Sequence, residues 1–294
     1  MADSFLISLT RFFLSLSLSL TSFFLPSGTA EANPMPPKAD GADLRVVTFN
    51  LRCIGIGKTS VAYRAPLLAA QLNEANADSI GVQEATLQWM TYLRDHLDGY
   101  ESVGVSRTNG KNRGEFSAIF YKVEKYDLLD SGTFWLSKTP DVAGSSDWGS
   151  ANIRICTWAI LQNKETKQTY VHFNTHLDHV SDEARTNQMR VLLEQMKSIA
   201  GDLPVVLTGD FNAGNDSDMY RTVADALQDS RLTARETDDQ GTFHSYGAIT
   251  PKLIDYIFVS DTITPLVYHV MDDKINDAYL SDHYGIYLDL KLAE

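Results

Sequence analysis

Cysteine is nearly absent: Cys53 and Cys156 are the only two in 294 residues. That excludes a disulfide-built scaffold and a zinc site made of thiolates. It leaves open either one disulfide in an oxidising compartment or two separate, half-buried thiols. Basic residues are also scarce, 25 against 38 acidic ones, giving a formal charge of −13. An acidic surface repels nucleic-acid backbones at long range, which argues against a bulk polynucleotide binder. A nuclease stays possible, because bound cations reverse the potential locally. No internal repeat is visible, and past residue 32 no apolar run is long enough to span a bilayer.

The one long uncharged run lies at the N-terminus. Phe12 to Leu25 contains only Phe, Leu, Ser and Thr, and Pro26 breaks it. Gly28-Thr29-Ala30 or Ala30-Glu31-Ala32 then supplies small residues suited to signal cleavage, although the n-region is weak, with Arg11 opposed by Asp3. Residues 1–32 are therefore expected to be a cleaved export signal of a secreted protein. An uncleaved membrane anchor is the alternative. Positions 33–43, with Pro34, Pro36 and Pro37, read as a linker. Residues 44–294 read as one domain, expected to be monomeric and not inserted in a membrane. The whole chain's 44% apolar content is enough for a sizeable core.

Strands are expected over 44–49, 79–83, 116–121, 128–136, 155–161, 169–174, 204–208, 254–259, 265–271 and 284–292. Alternation is plainest in the last, with Ile286, Leu288, Leu290 and Leu292 on one face. Helices are expected over 61–76, 86–97 and 182–200; in the third, Met189, Leu192, Leu193, Met196 and Ile199 form one apolar stripe. So many strands outside βαβ alternation favour mixed or antiparallel sheets covered by helices, an α/β fold.

Polar residues recur where apolar runs end. Val46–Phe49 ends in Asn50, Ile80–Gln83 in Glu84, Tyr170–Thr175 in His176, and Val205–Gly209 in Asp210 with Asn212 beyond. Asp255 lies inside an apolar run, and Asp282-His283 precedes the last one. A carboxylate at a buried strand end is costly without a partner or metal. If the strands share a rim, these eight residues form an oxygen-rich cluster suited to Mg²⁺ or Mn²⁺. Phosphoryl transfer needs a hard cation, a base for water and donors for transition-state charge. Taken singly, each residue has a plainer explanation as a turn, a cap or a core histidine.

Asn50 in TFN, Glu84 in GVQE, His176 in NTH, GDFN at 209–212, IDYIF at 254–258 and SDH at 281–283 resemble the ordered motifs of the endonuclease/exonuclease/phosphatase (deoxyribonuclease I-like) superfamily. The resemblance implies a four-layered α/β sandwich, two mixed and mostly antiparallel sheets flanked by helices. It implies metal binding by Glu84 and Asn50, with Asp282 as a further metal or orienting carboxylate. His283 resembles the residue that deprotonates water, held by Asp255; Asp210 and Asn212 resemble the pair that places nucleophile and phosphate. His176 resembles the second histidine, and Glu115 stands where that histidine's partner would be. Arg52 and Arg154, each beside a strand, are candidate phosphate contacts, and His179, with Asp178, either lines the pocket or caps the helix that follows.

Stretches such as GEFSAIFY, DWGS and RICTWA are similar in style to exported members nearest the deadenylase and nocturnin-like branch. The resemblance implies a metal-dependent phosphoesterase acting on a phosphodiester or phosphomonoester, with a nucleotide, oligonucleotide or phospholipid headgroup as partner. A secreted lipid phosphodiesterase of the sphingomyelinase kind is the rival enzyme, with Phe134, Trp135 and Trp148 as its candidate aromatic surface. A catalytically inactive binding protein on the same fold is the rival from another class, and it would have lost one of the motif residues; none is lost.

Overall fold

The computed structural model describes residues 31–293. The expected export signal lies outside them except for its last two positions. In chain order the elements are β1 (Leu44–Asn50), α1 (Val61–Ala75), β2 (Ser79–Ala85), α2 (Leu87–His96), β3 (Tyr100–Val103), β4 (Phe116–Lys122), β5 (Tyr126–Trp135) and β6 (Ile155–Asn163). There follow β7 (Thr169–His176), α3 (Asp182–Ala200), β8 (Val205–Asp210), α4 (Asp218–Ala224), β9 (Gln228–Asp229), α5 (Ser230–Thr233) and β10 (Glu236–Thr237). The chain ends in β11 (Asp255–Val259), β12 (Ile263–Met271) and β13 (Gly285–Leu292).

Two sheets result, in the orders β10-β12-β13-β1-β2-β4-β3 and β5-β6-β7-β8-β11-β9. The pairs β1–β2, β7–β8 and β10–β12 are parallel and the others antiparallel, so both sheets are mixed. Helices cover the outer faces, as the resemblance implies. Each long helix starts on a hydroxyl that accepts from its first turn: Ser60 from Tyr63, Thr86 from Trp89 and Ser181 from Ala184. The stripe of α3 is buried through Met189, Leu192 and Met196 against Val171, Phe173 and Leu207 of the second sheet.

Between the sheets an apolar cluster and a polar seam lie side by side. Val46, Leu288 and Leu290 of the first sheet share a cluster with Leu161, Val206 and Ile257 of the second. The seam runs from the level of Val46 and Val206 towards the end of β2. His172 Nδ1 lies 2.9 Å from Ser79 Oγ, its Nε2 lies 2.8 Å from Thr208 Oγ1, and Gln83 Nε2 donates to Asn174 Oδ1 at 2.7 Å. The sheets approach closely there: a Cβ on Gly81 would stand 2.7 Å from Asn174 Oδ1, so only glycine fits.

Residues 33–43, expected to be a linker, carry no helix or strand and are docked on the body. Arg45 donates to the carbonyls of Pro36 and Pro37, Lys38 pairs with buried Asp78, and Ala39 N–H donates to Asp289. Prolines leave their carbonyls free to accept, and the buried Arg45–Asp289 pair at 2.6 Å collects them. The two thiols are not joined: Cys53 is half-buried and Cys156 buried, and both are free. Among the described residues no helix is long and apolar enough to cross a membrane.

Candidate active site

Strand register aligns the motif residues. His176 lies opposite Asp210, and Asp210 lies opposite Asp255, across β7, β8 and β11. The first sheet brings Asn50 to the same rim, where its Nδ2 donates to Asp210 Oδ2 at 2.8 Å and lies 3.3 Å from Glu84 Oε1. Glu84 sits in an irregularity of the β2–β4 pairing, between Val82 and Ala85, with φ of 55°. Asn212 has φ of 50° and donates from its backbone to Asp210 Oδ1 at 2.9 Å. Non-glycine residues in the left-handed region cost conformational energy, and here both place a side chain at the rim.

His283 pairs with Asp255, Nδ1 to Oδ2 at 2.8 Å, and Thr242 Oγ1 donates to the same oxygen at 2.6 Å. Nδ1 therefore carries a proton that it donates to Asp255, and Nε2 faces the cleft, 3.9 Å from Asp210 Oδ2. Burial opposes the imidazolium, but Asp255, Asp210 and Asp282 outweigh it and raise His283 to about 10. Burial, followed by Asp255, raises the Asp210 carboxyl to about 7. Burial also raises Glu84, yet the Cys53 N–H and Arg52 prevail and hold it below the usual range.

These groups surround a cleft of about 330 Å³. Of the expected residues, Glu84, Glu115, His176, Asp210, Asn212 and His283 line it, together with Arg52, Arg154 and His179. Asn50, Asp255 and Asp282 stand one layer behind, bonded to Asp210, His283 and Arg52 respectively. Arg107, Asn152, Phe243 and Ile254 line the cleft as well and were not expected. Three of these four lie in loops with no apolar periodicity to frame them; Ile254 directly precedes β11.

Two expectations about side-chain partners change. Glu115 does not hold His176; it pairs with Arg107 at 2.7 Å, because that guanidinium lies across the same loop and outcompetes a neutral imidazole. His176 instead points Nε2 at Asp210 Oδ2, 3.5 Å away, and its Nδ1 has no partner among the described residues. Burial, then Arg154 and Arg107, hold His176 well below its ordinary value, so it is neutral. Asp178 is a loop organiser rather than a lining residue, accepting from five groups on two loops. Phe134 and Trp135, candidates for a lipid-binding surface, are 4% and 5% exposed and belong to the interior.

Two donor sets suit a cation. Asp210, Asp255 and His283 offer atoms within 4.8 Å of one another. Asp255 and His283 already share a proton there, and Thr242 occupies the same carboxylate oxygen, so this set is better read as a relay. Glu84 and Asp282 are oxygen donors, Asn50 can join them by turning its amide so that Oδ1 leaves the Arg52 N–H and replaces Nδ2 beside Glu84, and burial plus the nearby Glu84 charge raise the Asp282 carboxyl, a tension that a divalent ion relieves. The second set fits a hard cation.

The sequence matches the Endonuclease/Exonuclease/phosphatase family over residues 47–283. A crystal structure of an endonuclease/exonuclease/phosphatase from Bacteroides vulgatus is 34% identical, with a TM-score of 0.81 over 85% of this chain and 98% of that one. A mannosyl-6-phosphatase from Bacteroides thetaiotaomicron is 32% identical, with a TM-score of 0.80 over 85% and 100%. Among curated proteins, the CCR4-Not complex 3'-5'-exoribonuclease subunit of Phaeosphaeria nodorum is 26% identical over 76% of this chain and 53% of its own length. The chain spans about half the length of the first curated relatives it matches. This chain belongs to the endonuclease/exonuclease/phosphatase family.

Proposed function

We propose that the chain is a divalent-metal-dependent hydrolase of small phosphate esters such as sugar phosphates or nucleotides, with Mg²⁺ or Mn²⁺ as its metal. The carrying observation is the convergence of Asn50, Asp210, Asp255 and His283 from both sheets on one cleft of about 330 Å³. That volume is at the small end of ligand pockets and suits a mononucleotide-sized ligand better than a polymer. A structural relative named as a mannosyl-6-phosphatase supports the same reading.

Glu84 and Asn50 would hold the metal, with Asp282 beside them. When bound, it supplies positive charge to the phosphoryl and leaving oxygens and offsets the carboxylates that keep His283 protonated. His283, its Nδ1 proton fixed on Asp255, receives the proton of the attacking water at Nε2. Asp210, 3.9 Å from that nitrogen, orients the water. Asn212 and neutral His176 donate to the phosphoryl oxygens as charge develops on them. The rival lipid reading has lost two of its three aromatic candidates to the interior.

A phosphate-release panel of sugar phosphates, mononucleotides, short RNA, DNA and sphingomyelin, run with Mg²⁺, Mn²⁺ or EDTA, tests this reading. Turnover of small esters that EDTA abolishes is the expected result. Turnover unaffected by EDTA, or confined to polymers or lipid, would sink it. Export by cleavage near residue 32 belongs to the same proposal, and N-terminal sequencing of the product from culture medium checks it.

A further inference from the structure

The two ends of the cleft differ in charge. Glu84 and Asp282 gather at one end around Arg52. At the other, Arg107 and Arg154 lie beside Glu115, which is spent on Arg107, while Asp210 and Asp178 act on Arg154 through their charge and make no ion pair with it. Arg154 is left over. It is 3% exposed, its Nη2 meets Nδ1 of His179 at 3.3 Å, and Nε and Nη1 are buried without a partner among the described residues. A guanidinium stays charged at any working pH, so a buried one with idle N–H donors is costly until an anion completes it.

The position is also held firmly. Asp178 accepts from Ser150 Oγ at 3.0 Å and from the backbone N–H groups of Ala151 and Asn152 at 2.8 and 3.2 Å. Its other oxygen accepts from the backbone N–H groups of Val180 and Ser181 at 3.0 and 2.8 Å. One buried carboxylate thus ties the segment leading to Arg154 to the loop carrying His179. Arg154 is pre-placed rather than recruited by substrate, so little conformational freedom is lost on binding.

We propose that Arg154, with Asn152 and His179, is a subsite for the dianionic terminal phosphate, which makes this enzyme a phosphomonoesterase rather than a phosphodiesterase. The inference rests on the hydrolase reading above and adds its substrate class. A terminal phosphate carries about −1.5 to −2 at neutral pH and three acceptor oxygens, enough to serve both the metal end and the idle donors of Arg154. A diester carries one charge fewer, and its third oxygen bears carbon. That carbon would be pressed against a buried cation, leaving Nε and Nη1 unsatisfied.

The test uses 4-nitrophenyl phosphate and its methyl ester, methyl 4-nitrophenyl phosphate, which share a leaving group and differ by one alkyl cap. With full-length protein and Mg²⁺, kcat/KM for the monoester should exceed that for the diester at least tenfold. R154M should lose at least tenfold more monoester than diester activity, and R154K should recover part of the difference. Equal losses on both, or a wild-type preference for the diester, would overturn the inference and leave the hydrolase reading standing. Turnover of neither would overturn both. A measurement on the unmutated protein guards against misfolding of the variants: inorganic phosphate should protect against thermal unfolding at concentrations at least tenfold lower than dimethyl phosphate. Equal protection by the two ions would overturn the subsite.

Discussion

Asp255 and His283 show what a single residue contributes here. The carboxylate faces Nδ1 at 2.8 Å and supplies the leading charge that raises His283 to about 10 against the effect of burial. D255N keeps the shape and removes the charge, so His283 should titrate lower and its tautomer should no longer be fixed. By analogy with the aspartate of a serine-protease triad, kcat should fall by about 10³- to 10⁴-fold. NMR titration of His283 checks the first effect independently of activity; an unchanged titration would refute the pairing. H283A should lose as much or more activity while keeping its native circular dichroism, with a lower Tm because buried Asp255 loses its partner. These residues were legible in sequence because Asp255 interrupts an apolar run and His283 directly precedes one, and polarity there demands a reason. The partner of Glu115 was not legible. Arg107 lies eight positions away, and nothing in the spacing says that a bulged loop folds them face to face.

At the scale of elements, every expected strand and helix forms, with boundaries shifted by up to two residues. Periodicity reports a buried face well, and these elements all have one. The strand Tyr100–Val103 was not expected because four residues at a sheet edge carry too little pattern, and the helix Asp218–Ala224 is also short. The docking of residues 33–43 was hidden for a different reason: it depends on backbone carbonyls reaching Arg45, which composition does not show. Since Arg45 and Asp289 form a buried bidentate pair, D289A should cost about 3–5 kcal/mol by leaving the guanidinium uncompensated, measurable by urea unfolding.

The seam between the sheets yields a pH prediction at this same scale. Burial lowers His172 to about 3, from an ordinary 6.5, while its two nitrogens bridge Ser79 and Thr208. Between those values the unfolded chain takes up a proton that the folded chain refuses. This contribution to stability is therefore complete above pH 6.5 and is lost as the pH falls towards 3, by up to about 1.4 kcal/mol per unit. H172Q removes the titration, so its stability should decline less steeply between pH 6.5 and 5 than that of the wild type, whatever its absolute value. Parallel slopes in urea melts would show that His172 is not buried as a neutral ring.

For the whole molecule, the question is how a chain of charge −13 tolerates Glu84, Asp210, Asp255 and Asp282 at one rim. Hydrogen bonds from Asn50, Cys53 and Thr242 satisfy individual oxygens, yet Asp210 and Asp282 are both pushed up by burial and by neighbouring carboxylates. A divalent cation that binds only the folded chain stabilises it by mass action, about 2.7 kcal/mol at a hundred times its dissociation constant. For a domain of this size that corresponds to a rise in Tm of roughly 5–10 °C. Mg²⁺ and Mn²⁺ should each produce such a rise, and NaCl at matched ionic strength should not, because screening acts on the whole surface and weakly on buried groups. E84Q should abolish most of the metal-dependent rise, and the metal-free variant should be somewhat less stable than the wild type, because the Cys53 N–H and Arg52 favour the ionised carboxylate. If E84Q responds to Mg²⁺ as the wild type does, the metal lies elsewhere, and the buried group of Asp210, Asp255 and His283 becomes its place. A D255N variant that then lost the response would turn the proposed proton relay into a metal centre.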